Sequence, residues 1–160
     1  MTVGPPQRWW KVLGVAFALT LSALSWASDH PDHIVERAIW EDVSGTAGVE
    51  EAVLAPYAAL PNTSLLRGGY SPSAFWLRLR IVDAKPLVLR IQPPYLDDVR
   101  VFERNPDGAW RERVAGDWHA YADRESADVA FTFAVQRNAH NQGVFYVRLK
   151  TTSSSIMDVR

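Results

Sequence analysis

The chain has 160 residues and a formal charge of −1, from 17 Lys and Arg against 18 Asp and Glu, so no basic surface for nucleic acid is indicated. Hydrophobic residues at 48% and charged residues at 22% exclude a disordered chain, and the length suits one domain. The lack of cysteine excludes disulfides, thiolate metal sites and thiol nucleophiles.

The first segment reads as a targeting sequence. Arg8 and Lys11 precede an apolar run from Val12 to Leu24, and Ser25-Trp26-Ala27 places small residues where a signal peptidase cuts. The run is shorter than the ~20 residues a membrane span needs, so a secretory signal peptide cleaved after Ala27 is predicted. Its removal takes away Arg8 and Lys11 and shifts the formal charge from −1 to −3. Residues 28–37 are polar and read as a flexible N-terminal segment, leaving 38–160 as the domain.

Ala38 to Val43 predicts a short strand. Thr46 is placed to cap a short helix in which Val49, Val53 and Leu54 share one side. Pro56 and Pro61 end it and lead into a loop through Asn62 to Gly69. The period then changes to two. Phe75, Leu77, Leu79 and Ile81 fall on one face, with Trp76, Arg78 and Arg80 on the other, which marks a half-buried strand. Leu87 to Gln92 repeats the pattern. Val99–Arg104 and Trp110–Val114 flank the turn sequence Asn105-Pro106-Asp107-Gly108 and predict a hairpin. Val129, Phe131, Phe133 and Val135 alternate, as do Phe145, Val147 and Leu149, and Ile156–Val159 begins a last strand. About seven or eight strands with one short helix make an all-β fold, an antiparallel sandwich or jelly roll.

Several chemistries can be weighed on residue types alone. Asp29-His30-Pro31-Asp32-His33 has metal-capable side chains but no scaffold to fix them, so a solvated tail is expected and no metal or cofactor. His119 and His140 read as surface residues beside turns. Asp97-Asp98 and Glu50-Glu51 are sequence neighbours, which on strands point to opposite faces, and so do not suit a hydrolytic pair. With no nucleophile elbow or phosphate loop, no catalytic residue is assigned and the chain is expected not to be an enzyme. Asn62-Thr63-Ser64 matches a glycosylation acceptor, a match that carries little meaning.

Ligand binding suits the residues better. Trp76, Arg78 and Arg80 share a strand face, as do Tyr146 and Arg148. If those strands adjoin, they form an aromatic and arginine face able to stack on a sugar or grip a carboxylate. Trp118, Tyr121 and Arg124 follow Gly116 in a loop that could overhang it. The competing reading is that Trp76 is core and the arginines are solvated or paired with Asp and Glu.

The order of blocks carries a resemblance: Trp40-Glu41-Asp42, the short helix, Gly68-Gly69-Tyr70-Ser71-Pro72-Ser73-Ala74-Phe75-Trp76-Leu77-Arg78, Leu87–Arg90, Leu96-Asp97-Asp98-Val99-Arg100-Val101-Phe102, Gly116-Asp117-Trp118, Arg124 and Phe145–Leu149. From Ile39 to Val159 the chain resembles the extracellular sensor domain of bacterial 7TM receptors with diverse intracellular signalling modules, type 2 (7TMR-DISMED2). The resemblance implies a jelly roll similar to carbohydrate-binding modules, displayed in the periplasm. In such receptors seven membrane helices follow, then a diguanylate cyclase or histidine kinase. This sequence stops at Arg160, so a fragment of an inner-membrane receptor, or a truncated gene, is expected. The expected partners are a small ligand, carbohydrate or, from the arginines, carboxylate-bearing, and the parent's membrane region; the sequence leaves a homodimer open. The alternative is a free-standing secreted carbohydrate-binding module.

Overall fold

Alternation of apolar side chains sorts the chain into two antiparallel sheets that share one core. The computed structural model describes residues 33–61, 65–83, 85–135 and 142–160. The expected signal peptide, Asn62-Thr63-Ser64 and His140 lie outside those residues. A six-stranded sheet has the order β2 (Ala58–Ala59), β1 (Ile34–Asp42), β4 (Ala74–Val82), β9 (Gln142–Lys150), β6 (Asp98–Arg104), β7 (Trp110–Ala115). A four-stranded sheet has the order β3 (Leu65–Arg67), β10 (Ile156–Val159), β5 (Val88–Gln92), β8 (Phe131–Ala134). Every pairing is antiparallel. Among the described residues no helix is long and apolar enough to cross a membrane.

Register turns the period of two into a core. Leu77 of β4 lies opposite Val147 of β9, which lies opposite Val101 of β6, and Phe75, Leu149 and Val99 form the next row. These pack against Leu89, Ile91, Phe131, Phe133, Met157 and Val159 of the smaller sheet, all buried. Each such side chain contributes roughly 1.5–3 kcal/mol on leaving water, which lets the domain dispense with disulfides. At one edge the two sheets are tied by buried Arg113. It pairs with Glu103 of β6 at 3.0 Å and donates to the Ala134 carbonyl of β8 at 2.7 Å.

The opposite face of the larger sheet is covered as well. Helix α1 (Val49–Leu54) lies over it, and Ala52, Trp76, Phe102 and Tyr146 form a second buried cluster with Trp40, Val49, Val53, Tyr57 and Trp110 packed around. Trp76 stacks on Phe102 at 5.5 Å, and Trp110 meets Tyr146 edge-on at 5.7 Å. The helix is held by Glu50, whose carboxylate accepts the Trp110 indole N–H at 2.8 Å.

The structure departs from the sequence expectations at short or polar elements. β1 starts at Ile34, so residues 34–37 are strand and not flexible segment: Ile34 is core, and the buried Arg37 guanidinium donates to the Ile34 and Val159 carbonyls. The helix is entered through Gly48 and not capped by Thr46. The preceding turn is built instead by Asp42, which accepts from Ser44 Oγ at 2.6 Å and the Ala47 amide at 2.9 Å. Leu54 is 86% exposed and Ala52 is the buried residue of the helix. Val129 is 72% exposed because β8 begins only at Phe131. Among the described residues there are ten strands, β2 and β3 being too short for any periodicity to show.

Candidate functional site

β4 and β9 are neighbours, and Trp76 faces Arg148 across the ladder while Arg78 faces Tyr146. The expected aromatic and arginine face therefore exists, but it is filled. Trp76 is fully buried under α1, and Tyr146 and Arg148 retain only 8% and 9% exposure. Arg78 and Arg80 share Glu36 of β1 at 2.9 and 3.3 Å, and Arg78 also sits over the Tyr57 ring. Burial pushes the Tyr57 phenol far above its ordinary pKa, with the neighbouring Tyr146 acting in the same direction. Trp76, Tyr146 and Arg148 are thus packed away, while Arg80 stays exposed beside Glu36.

Arg148 serves a buried carboxylate at the end of the same sheet. Asp98 accepts from Arg148 Nη1 at 2.8 Å, from Arg100 Nε at 2.9 Å, and contacts His119 Nε2 at 2.7 Å. Burial alone would raise the Asp98 pKa, but the His119 and Arg100 hydrogen bonds and the charges of Arg100 and Arg148 hold it below the usual carboxylate range. His119 is thus an anchor, not a plain surface residue. Arg148 Nη2 and Lys150 Nζ both donate to the Gly45 carbonyl, tying the turn after β1 to the sheet.

Trp118, Tyr121 and Arg124 lie in the connector from β7 to β8, which crosses from the edge of one sheet to the edge of the other. Gly116, at φ 122°, lets the backbone approach so closely that a Cβ there would stand 2.2 Å from the Asp97 carbonyl. The Asp117 and Trp118 amides then donate to the Leu96 and Asp97 carbonyls, each at 2.9 Å. Trp118 is 58% exposed and Tyr121 61%. Arg124 lies over both Tyr121 and the core residue Phe131, at 5.0 and 4.8 Å, so this part of the connector packs on the smaller sheet and does not overhang Trp76. The eight candidate residues accordingly divide into a filled sheet face and an exposed connector.

Two exposed rings escaped the sequence reading: Tyr70, 84% exposed, and Tyr95, 52% exposed. Each stands in a turn sequence, Gly69-Tyr70-Ser71-Pro72 and Pro93-Pro94-Tyr95, where a large ring has no strand neighbours to bury it. That mismatch was the available signal. Among the described residues no group of three or more His, Asp or Glu is placed to hold a metal ion.

Residues 36–160 match the family model described as 7TMR-DISM extracellular 2. The chain belongs to this family. A 7TMR-DISM extracellular 2 domain is a receptor's sensor-type module, which places the chain outside the cytoplasm. No curated protein matches the chain.

Proposed function

We propose that this 7TMR-DISM extracellular 2 domain is the periplasmic ligand-sensing input of a bacterial inner-membrane receptor. On this reading the chain is exported by a signal peptide cleaved after Ala27. It binds a small carbohydrate or carboxylate-bearing compound, and it biases a membrane region coupled to a diguanylate cyclase or histidine kinase. On this reading the chain itself is non-catalytic, and the His119–Asp98 contact, which Arg148 and Arg100 share, is structural.

The observation that supports ligand binding is the display of Trp118 and Tyr121 on a connector whose backbone is pinned to Leu96 and Asp97. A rigid support lowers the ordering cost of stacking a ligand on an exposed ring. The test is a thermal-shift screen of the purified chain against sugars and small carboxylates. A ligand at 100 times its Kd adds about 2.7 kcal/mol of stability, enough to raise Tm by several degrees. A full screen with no stabilising compound would sink the proposal.

A further inference from the structure

The outer face of the smaller sheet follows from its register. Leu66, Met157, Leu89 and Phe133 point into the core, so the residues that alternate with them point outward. Arg67, Ile156, Val88 and Arg90 lie on that outer face, with Arg160 just beyond the end of β10, and all five are exposed. The outer face of the larger sheet, by contrast, is buried under α1.

Three arginines are spread across this open face on neighbouring strands: Arg67 on β3, Arg160 after β10 and Arg90 on β5. Arg90 and Arg160 stand directly opposite each other. The Arg90 amide donates to the Arg160 carbonyl at 2.8 Å, and the Arg160 amide donates back to the Arg90 carbonyl at 3.0 Å. Two like charges therefore share one cross-strand position, a pairing that costs stability unless it is neutralised. The neutralisation is partial. Asp158 pairs with Arg160 at 3.0 Å, but exposed Asp128 reaches Arg90 only at 3.9 Å. Arg67, opposite Ile156, has no ion-pair partner among the described residues. On the larger sheet Arg78, Arg100 and Arg148 each hold a carboxylate, at 2.9, 2.9 and 2.8 Å. A chain of formal charge −1 thus presents one sheet face that is net basic. Charge distributed over an open face, with exposed Ile156 and Val88 among it, suits a surface of many fixed anions better than a single small one.

We propose that the outer face of the smaller sheet docks on an anionic phospholipid surface, with Arg67, Arg90 and Arg160 on the phosphates and Ile156 and Val88 at headgroup level. This rests on the reading of the chain as the input of a membrane receptor. Each basic group near such a surface strengthens attachment about fivefold. Three such groups hold a free protein only weakly. A domain tethered to its own membrane needs no more, because the tether already supplies the local concentration. Docking by this sheet turns α1 and the larger sheet away from the lipid.

The test uses residues 28–160, because the apolar run from Val12 to Leu24 would itself enter vesicles and Asp32–Arg160 forms a compact unit of its own. Partition is measured by flotation with phosphatidylcholine vesicles containing phosphatidylglycerol, at low salt and millimolar lipid. Binding is expected there. It should vanish on phosphatidylcholine alone, and in about 1 M salt, where charges are screened beyond ~3 Å. Arg67→Gln and Arg90→Gln should each lower the partition coefficient about fivefold with Tm unchanged, and Arg90→Lys should retain it. Arg80→Gln removes the same charge from the other sheet and should leave partition unaltered. No partition on the anionic vesicles, or an equal loss in Arg80→Gln, overturns the docking. Release by inorganic phosphate, at an ionic strength where chloride releases nothing, marks a small-anion site and overturns it too. None of these outcomes touches the sensing reading, which stands or falls on the ligand screen.

Discussion

Replacing Asp98 with alanine tests the polar junction that orders the connector end. The carboxylate is 3% exposed and holds Arg148, Arg100 and His119 together. Orphaning a buried partner typically costs 3–5 kcal/mol, but two donors keep a second acceptor: Arg148 the Gly45 carbonyl at 2.9 Å, and Arg100 the Glu112 carboxylate at 2.9 Å. The expected loss is therefore near the lower bound, about 3 kcal/mol, or about 10 °C in Tm for a domain of this size. Urea unfolding at neutral pH reads the first figure and calorimetry the second. Asp98→Ala combined with Arg148→Met should lose less than Asp98→Ala alone, since no buried cation is then stranded. The pH dependence has a definite sign. A carboxyl held below its unfolded value of about 3.9 contributes fully above that pH, and its contribution declines as pH falls through the folded value. The gap between wild type and Asp98→Ala should accordingly be constant above roughly pH 5 and shrink below roughly pH 4. A loss under about 1 kcal/mol, or a gap indifferent to acid, would refute the view of Asp98 as the organiser of this end.

Four further outcomes follow from packing. Gly116→Ala should cost about 3 kcal/mol or more, because the new Cβ meets the Asp97 carbonyl at 2.2 Å. Gly108→Ala, also at positive φ but with nothing within 4 Å, should cost only about 1–2 kcal/mol; urea midpoints at constant m separate the two. Trp76→Ala should cost about 3–5 kcal/mol by emptying the cluster beneath α1, read as a lower urea midpoint. Leu54→Ala, on the exposed side of α1, should move stability by less than about 0.5 kcal/mol in the same assay.

The long strands were legible because their alternation spans enough residues to fix a face: Phe75, Leu77, Leu79 and Ile81 are all core. So was the hairpin around Asn105-Pro106-Asp107-Gly108, where β6 pairs with β7 from Arg104 and Trp110 outward. Polar and short segments were not. Arg37 disguises the first turn of β1 because its charge reads as solvent-facing, although backbone carbonyls from both sheets receive it. β2 spans only Ala58 and Ala59, and two residues have no period.

The site was half legible for a related reason. Alternation assigns Trp76, Arg78 and Arg80 to one face of a strand, but says nothing of what lies on that face. A helix of six residues is enough to convert it from a surface into a second core, and Glu36, Asp98 and Gly45 then claim the arginines. Composition is a better guide in turns. A strand can bury any ring against a neighbouring strand, whereas a ring between glycine and proline has few neighbours to shield it. Tyr70 and Trp118 follow turn glycines and Tyr95 follows two prolines, and all three emerge into solvent on connectors tied by hydrogen bonds. Exposure of large rings on a fixed frame costs the domain hydrophobic burial it could otherwise have had, at roughly 25 cal/mol per Å² left in water.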